Sequence, residues 1–557
     1  MGEVIHMGGK TVAEALVDSL LLHGVSQVYC VPGESYLSVL DALYGARDKI
    51  QTVSCRFEPG AANMAAAHGR MTGQPGIAFV TRGPGATQAS VGVHTAFQSS
   101  TPMLLFIGQV PTSHKGREAF QEVDYLDMFR GLAKGVMVID DPVSASQMVA
   151  IAYQASLSGR PGPVVVVLPE DVLGMVHQGP MTDPLTILHH MASEDELNLT
   201  LKILSSAEQP LIIYGGPRSV FSNGPELRDF VEANQIPLAV SFRSQDYFDN
   251  RHPNYVGDLG FGKNPALAAR VKEADVILAL GTRLGEIATE GYTLLEAPKP
   301  KQKLIHVFPE ATELGKVYKP DLAIRADAGA FARTLAGKTL SPSDRRREWC
   351  GTLRAEYEDW IVPRTNPGPV QLAEIFTWLN ENLPEDAILA NGAGNYTGWL
   401  HRYYQYRRPG TQLAPKSGAM GFGLPAAIAA KLARPDRTVV AVAGDGCFMM
   451  AVPELATAVQ YGAAIIVMII NNSMYGTIRM YQERQFPGRV WGTDLQNPDF
   501  AALATSFGAV GVRIERTDAF APAFEAALRA NKPTVLDIIV DPEAISTQIS
   551  LADLAGS

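Results

Sequence analysis

The stretch Ala441–Gly476, AVAGDGCFMMAVPELATAVQYGAAIIVMIINNSMYG, decides the fold. The apolar run TVVAVA before Gly444-Asp445-Gly446 reads as a buried strand. A helical pattern follows, then the apolar strand IIVMII, then Asn471-Asn472. Strand, helix and strand in this order make a unit of a parallel sheet. Asp445 and Asn472 then stand at the carboxyl ends of two strands, where open α/β sheets bind ligands. A carboxylate and an amide carbonyl are hard oxygen donors, suited to a magnesium ion that also holds a phosphate-bearing cofactor. Gly444 and Gly446 let the backbone approach the phosphates closely. A lone Gly-Asp-Gly is usually only a turn. The Asn pair 27 residues later (472 − 445) makes the stretch specific.

The same alternation runs outward through three blocks, which predicts three doubly wound α/β domains with mainly parallel sheets. In the first, residues 1–178, helices are expected over 11–23, with Gly24 as C-cap, and from Pro59 to about Thr72. Its strands lie in VSQVYCVPGE, IQTVSCRFE, GIAFVTRG, MLLFIGQV and PVVVVLPED. The proline-bearing segment GPMTDPLTILHHMASEDE reads as a linker. The second block, 190–340, holds LIIYGG, IPLAVSF, ADVILALGTR and KLIHVF. SPSDRRREWCGTLRAEYEDWI is charged and helical, and looks like a connector. The third block, 365–557, contains the opening stretch, the strand AILANG and TVLDIIVDP.

The chain has 557 residues, 46% hydrophobic and 19% charged, with a net charge of −10 and no Lys/Arg-rich block. Nucleic acid and anionic membranes are not indicated as partners. No apolar run reaches the ~20 residues that span a bilayer. The four cysteines lie far apart without metal-ligand spacing and read as reduced thiols. The N-terminus, MGEVIHMGGKTVAEALVDSL, is acidic and lacks the apolar segment of a leader. A cytoplasmic protein acting on small molecules is expected.

The Gly-Asp-Gly…Asn-Asn arrangement resembles the diphosphate-binding motif of thiamine-diphosphate-dependent enzymes. The whole chain is similar to their acetolactate (acetohydroxyacid) synthase branch through TRGPGATQASVGVHTAFQSSTPML, IGQVPTSHKGREAFQEVDY, GRPGPVVVVLPEDV and SGAMGFGLPAAIAAKLARP. The likeness implies a pyrimidine-binding first domain, a central domain and a diphosphate-binding third domain, with thiamine diphosphate and Mg²⁺ as cofactors. Asp445, Asn472 and the carbonyl of Met474 would bind the metal. Gly444, Gly446, Cys447, Tyr475 and Gly476 belong to the same motif. Gly394 and Asn395 would close over the diphosphate, although Asn395-Tyr396 stands where a Gln-His pair is usual. Met420, beside Gly418, would wedge the cofactor into its bent shape. Gly83 and Pro84 form the glycine-rich loop of the first domain. Glu58 would hydrogen-bond the aminopyrimidine ring and promote loss of the C2 proton. Read alone, Glu58 is an ordinary acid at a helix start, and Met420 is core filler.

On the substrate side the likeness points to Gln109, Phe120, Gln121, Lys134, Ile478 and Tyr481. Tyr481 replaces a Trp of the synthases, and Lys134 would attract a carboxylate as a point charge. Glu58, Gln121 and His114 are the candidate catalytic residues. His114 falls where pyruvate decarboxylases relay protons through a His-His pair; by itself it reads as a polar loop residue. FAD is possible but disfavoured. The expected acidic ends of two central strands are replaced by Gly281-Thr282-Arg283-Leu284-Gly285-Glu286 and His306-Val307-Phe308-Pro309, although Arg283 is retained. The expected reaction is decarboxylation of a 2-oxo acid and transfer of the acyl-anion equivalent to a carbonyl acceptor. The alternatives are a simple 2-oxo acid decarboxylase or a non-catalytic cofactor-binding homologue. The likeness implies a homodimer or homotetramer, because in the family the site forms between the first domain of one subunit and the third of another.

Overall fold

The protein is described by a computed structural model over residues 9–218 and 225–555. Residues 1–8, where a leader was sought, lie outside the described residues. Three six-stranded sheets account for the three blocks, and every strand pair in them is parallel. The first holds β1 (Gln27–Cys30), β2 (Gln51–Ser54), β3 (Gly76–Val80), β4 (Met103–Gln109), β5 (Gly135–Val138) and β6 (Pro163–Pro169), in the order β2-β1-β3-β4-β6-β5. The second holds β7 (Pro210–Tyr214), β8 (Leu238–Ser241), β9 (Tyr255–Leu259), β10 (Val276–Leu280), β11 (Lys303–Phe308) and β12 (Leu322–Arg325), ordered β12-β11-β10-β7-β8-β9. The third holds β13 (Ile388–Asn391), β14 (Gln412–Leu413), β15 (Val439–Gly444), β16 (Ile466–Asn471), β17 (Val510–Ile514) and β18 (Thr534–Ile539), ordered β14-β13-β15-β16-β18-β17.

The first and third sheets therefore share one winding, while the middle sheet has the strand order of a dinucleotide-binding fold. Central strands such as MLLFIGQ and PVVVVLP are buried along their whole length. Helices cover both faces of such a sheet, so its strands read as continuous apolar runs. The first helix spans Val12–Leu22, with a capping box between Thr11 and Glu14. Its C-cap is His23, and Gly24 follows with φ +73, as an αL termination requires. The expected connector, the helix Asp344–Trp360, packs with the second sheet. Its Trp349 and Leu353 enter one core of the second sheet and its Tyr357 the other. Among the described residues, no helix is long and apolar enough to cross a membrane.

The chain forms two compact units. Of the described residues, one unit takes those up to Leu188 with Ile428–Ala433 and Pro453–Tyr461, and the other holds the remaining described residues.

Candidate active site

Glu58 opens the helix Glu58–Thr72, just beyond β2. The extended residue Phe57 is the N-cap and makes no side-chain cap, while Pro59 suits a first turn that needs no N–H partner. The positive end of the helix favours a carboxylate there. Glu58 is half-buried. Its Oε1 lies 3.3 Å from where a Cβ on Gly85 would stand, so it faces the start of the helix Pro84–Ser99. Gly83, the N-cap of that helix, has φ +59 and ψ −110. A Cβ on Gly83 would lie 2.8 Å from Gln121 Cβ, and Gln121 itself holds φ +64. The Gly83 N–H donates to the Tyr125 hydroxyl at 2.8 Å. Burial pushes that hydroxyl up to about 12. Tyr125 ends the stretch IGQVPTSHKGREAFQEVDY, but the sequence gives its hydroxyl no role, because only the fold brings it under the glycine. Gly83→Ala should destabilise the protein by about 1–3 kcal/mol, the range for such backbone strain, read as a lower urea midpoint at unchanged slope.

Gln109 ends β4 and is buried. Its Nε2 donates to Val123 O at 2.8 Å, and its Oε1 accepts from the Val110 N–H at 2.9 Å. The amide therefore pins the loop that carries Gln121 and Tyr125. His114 is exposed on the short turn Thr112–His114, and Phe120 is 76% exposed. Lys134 is not brought to these residues. It precedes β5, at the amino end of a parallel sheet, and its ammonium donates to Ser158 O. Glu58, Gly83 and Gln109 all lie at the opposite, carboxyl ends of their strands.

In the third domain Asp445 follows β15, whose Gly444 pairs in register with Ile470 of β16. Asp445 is 2% exposed. Its Oδ1 accepts from the Gly446 N–H at 2.9 Å and its Oδ2 from Asn497 Nδ2 at 2.7 Å. Burial raises its pKa and these hydrogen bonds oppose the rise. Asn471 is turned inward, donating to Asp537 Oδ1 at 2.9 Å and accepting from Asn497 Nδ2 at 3.0 Å. Asn472 follows β16 and is half-buried, its Nδ2 3.2 Å from the Cβ position on Gly476. Asn497 had no signal in the sequence. It arrives through the antiparallel bridge Met474↔Asp494, with the Leu495 N–H donating to Ser473 O at 2.8 Å.

The Met474 side chain packs with Ile545, Leu551 and Leu554. Its carbonyl accepts from the Gly476 N–H at 3.0 Å and keeps a second lone pair. Asp445, Asn472 and that carbonyl each carry an oxygen donor of the kind a hard divalent cation takes. Among the described residues, no three His, Cys, Asp or Glu side chains cluster as a metal cage. An amide and a main-chain carbonyl fall outside that pattern.

Close approach explains the glycines. A Cβ on Gly446 would meet Tyr475 Cε1 at 2.5 Å, and one on Gly394, at φ +151, would meet Tyr396 Cε1 at 2.7 Å. The buried Tyr396 ring also lies 3.2 Å from a Cβ position on Gly444, and its hydroxyl donates to Cys447 Sγ at 3.6 Å. The same sulfur accepts from the Gly421 N–H at 3.2 Å. Cys447 therefore offers a ligand its main-chain N–H rather than its thiol. Asn395 Oδ1 accepts from the Thr477 hydroxyl at 2.7 Å and its Nδ2 donates to Ile545 O at 2.9 Å, tying its turn to the helix Gly476–Gln485. Met420 is half-buried between Gly418 and Gly421, both at positive φ. Ile478 and Tyr481 are 52% and 42% exposed on the helix Gly476–Gln485.

Comparison with known proteins gives the family. Residues 10–128 match "Thiamine pyrophosphate enzyme, N-terminal TPP binding domain", 197–335 its central domain and 392–538 its C-terminal TPP binding domain. The chain is 31% identical to an acetolactate synthase large subunit of Parasynechococcus marenigrum, over 95% of this chain and 87% of that protein. It is 30% identical to the acetolactate synthase isozyme 2 large subunit of Escherichia coli, over 95% of both. It is 29% identical to the mitochondrial acetolactate synthase catalytic subunit of Saccharomyces cerevisiae, over 96% of this chain and 81% of that one. Three thiamine-pyrophosphate domains in this order, with relatives matched nearly end to end, mean that the chain belongs to the thiamine-diphosphate-dependent enzymes of the acetolactate synthase-like family.

Proposed function

We propose that this enzyme uses thiamine diphosphate and Mg²⁺ to decarboxylate a 2-oxo acid and transfer its acyl-anion equivalent to a carbonyl acceptor. The observation that carries the reading is the buried Asp445 carboxylate, at the carboxyl end of β15 and beside Asn472, which follows the neighbouring β16. Thiamine diphosphate, when bound, supplies the carbon nucleophile and the electron sink. Asp445, Asn472 and the Met474 carbonyl would hold Mg²⁺, and the turns at Gly394, Gly444 and Gly446 would take the diphosphate. Glu58 would hold a proton at the pyrimidine ring nitrogen, sheltered enough to share it with the ring rather than with water. Gln121, framed by Gly83, Tyr125 and Gln109, would orient the substrate. Phe120 is assigned to the acceptor side, as are Ile478 and Tyr481, each an exposed apolar side chain that would suit an organic acceptor.

Incubation with pyruvate, Mg²⁺ and thiamine diphosphate tests this by mass spectrometry. Acetolactate is the expected product; acetaldehyde alone would favour the decarboxylase. No product from any of a panel of 2-oxo acids would overturn the proposal. Asn497→Ala should weaken Mg²⁺-dependent cofactor binding by about 10–100-fold, the usual effect of losing a group that orients a metal ligand, measured by calorimetric titration. We infer that no flavin is needed. His306 is buried with its Nε2 2.9 Å from Thr282 O, and no acidic side chain ends β11. Flavin absorbance in the purified protein would contradict this. A homodimer or homotetramer is the assembly this reading requires, and sedimentation equilibrium tests it.

A further inference from the structure

The segment Pro453–Tyr461 packs with the first domain. Three of its residues grip the chain leading from β2 to Glu58. Glu454, 1% exposed, accepts through Oε1 from the Arg56 N–H at 3.1 Å and the Phe57 N–H at 3.0 Å. The Thr457 hydroxyl donates to its Oε2 at 2.7 Å. The Gln460 side chain accepts from the Arg56 guanidinium. The Tyr461 hydroxyl accepts from the Ser54 N–H at 2.7 Å and donates to Thr52 O at 3.2 Å.

The arrangement reproduces a capping box with one member supplied from afar. In a capping box, a glutamate at the third helical position reaches back to the N-cap N–H. Here the N-cap is Phe57 and the third helical position is Gly60, which has no side chain to offer. Glu454, 397 residues from Phe57 in sequence, takes that place. A Cβ on Gly60 would lie 2.3 Å from Glu454 Oε1, so the glycine leaves the room that the carboxylate fills. Glu58 is the first residue of the helix so capped, and its position follows the cap. Burial raises the pKa of Glu454, and the hydrogen bonds from Thr457, Arg56 and Phe57 oppose that rise.

We propose that Glu454 is a positioning residue for catalysis: by capping the helix Glu58–Thr72 it fixes where the Glu58 carboxylate meets the cofactor. This rests on the proposed role of Glu58. Misplacing a catalytic group by about 1 Å can cost about 10²-fold in rate. The readout is the rate at which the holoenzyme exchanges the C2 proton of thiamine diphosphate for deuterium, followed by quenched NMR beside kcat. Glu454→Ala should slow both by about 10²-fold, with cofactor affinity little changed. Glu454→Gln should restore exchange to near the wild-type rate, because its carbonyl can accept both N–H groups. Gly60→Ala should slow exchange with Glu454 intact, since the new methyl displaces the carboxylate. That variant decides the matter if Glu454→Ala does not fold by circular dichroism. Wild-type exchange in Glu454→Ala or, where that variant does not fold, in Gly60→Ala overturns the proposal, as does failure of Glu454→Gln to restore it. Glu58→Gln separates the two readings. If it exchanges like wild type, the role of Glu58 fails; if it is slow while Glu454→Ala is fast, only the positioning role fails.

Discussion

Glu58→Gln should lower kcat by about 10²- to 10⁴-fold, the range for losing one positioned acid or base. Glutamine keeps the length and a hydrogen-bonding oxygen, so the helix Glu58–Thr72 and its packing against Gly85 should stand. What is lost is the ability to give and take a proton. The affinity for thiamine diphosphate should fall far less, because the diphosphate end of the cofactor is assigned to other residues. Steady-state kinetics at saturating cofactor, with a thermal melt as control, makes the measurement. A kcat within a few-fold of wild type would sink the assignment of Glu58.

Asp445→Ala should abolish stabilisation by cofactor and metal. A ligand at a hundred times its Kd adds about 2.7 kcal/mol to the stability of a folded protein. Wild type should therefore melt higher with thiamine diphosphate and Mg²⁺ present, and EDTA should cancel the gain. The Asp445→Ala chain should show no gain at the same concentrations. Its melting point without ligand should not collapse, since removing a buried carboxylate also removes its desolvation cost. A cofactor-dependent shift equal to that of wild type would show that the metal is held elsewhere.

The sequence revealed interior strands well and sheet edges poorly. β3, β4, β6, β7, β10, β15 and β16 announce themselves as apolar runs because helices bury both their faces. β5, β9, β12, β14 and β17 escaped notice, and each lies at an edge of its sheet. β5 and β12 are only four residues long, too short for their apolar residues to stand out as a strand. β14 is only two residues long. In the candidate site, Asp445 and Asn472 were legible because a single strand-helix-strand unit sets them side by side. Glu58 was legible through its strand-to-helix position and its flanking motif. Tyr125, Asn497 and Glu454 were not, since each acts on a backbone or side-chain group that only the fold delivers. Lys134 shows the converse. Its charge is plain in the sequence, but the direction of β5 carries it to the other end of the sheet.

The composition of the first compact unit has a consequence for how the protein is made. Glu454 is synthesised 266 residues after Leu188, where the continuous part of that unit ends (454 − 188). At about 5–20 residues per second, the delay on the ribosome is roughly 13–53 s. The first sheet can form within that interval, since its strands are all translated. The turn before Glu58 cannot reach its final state, because the acceptor for the Arg56 and Phe57 N–H groups does not yet exist. The nascent domain thus acquires its fold early and its reactive geometry late.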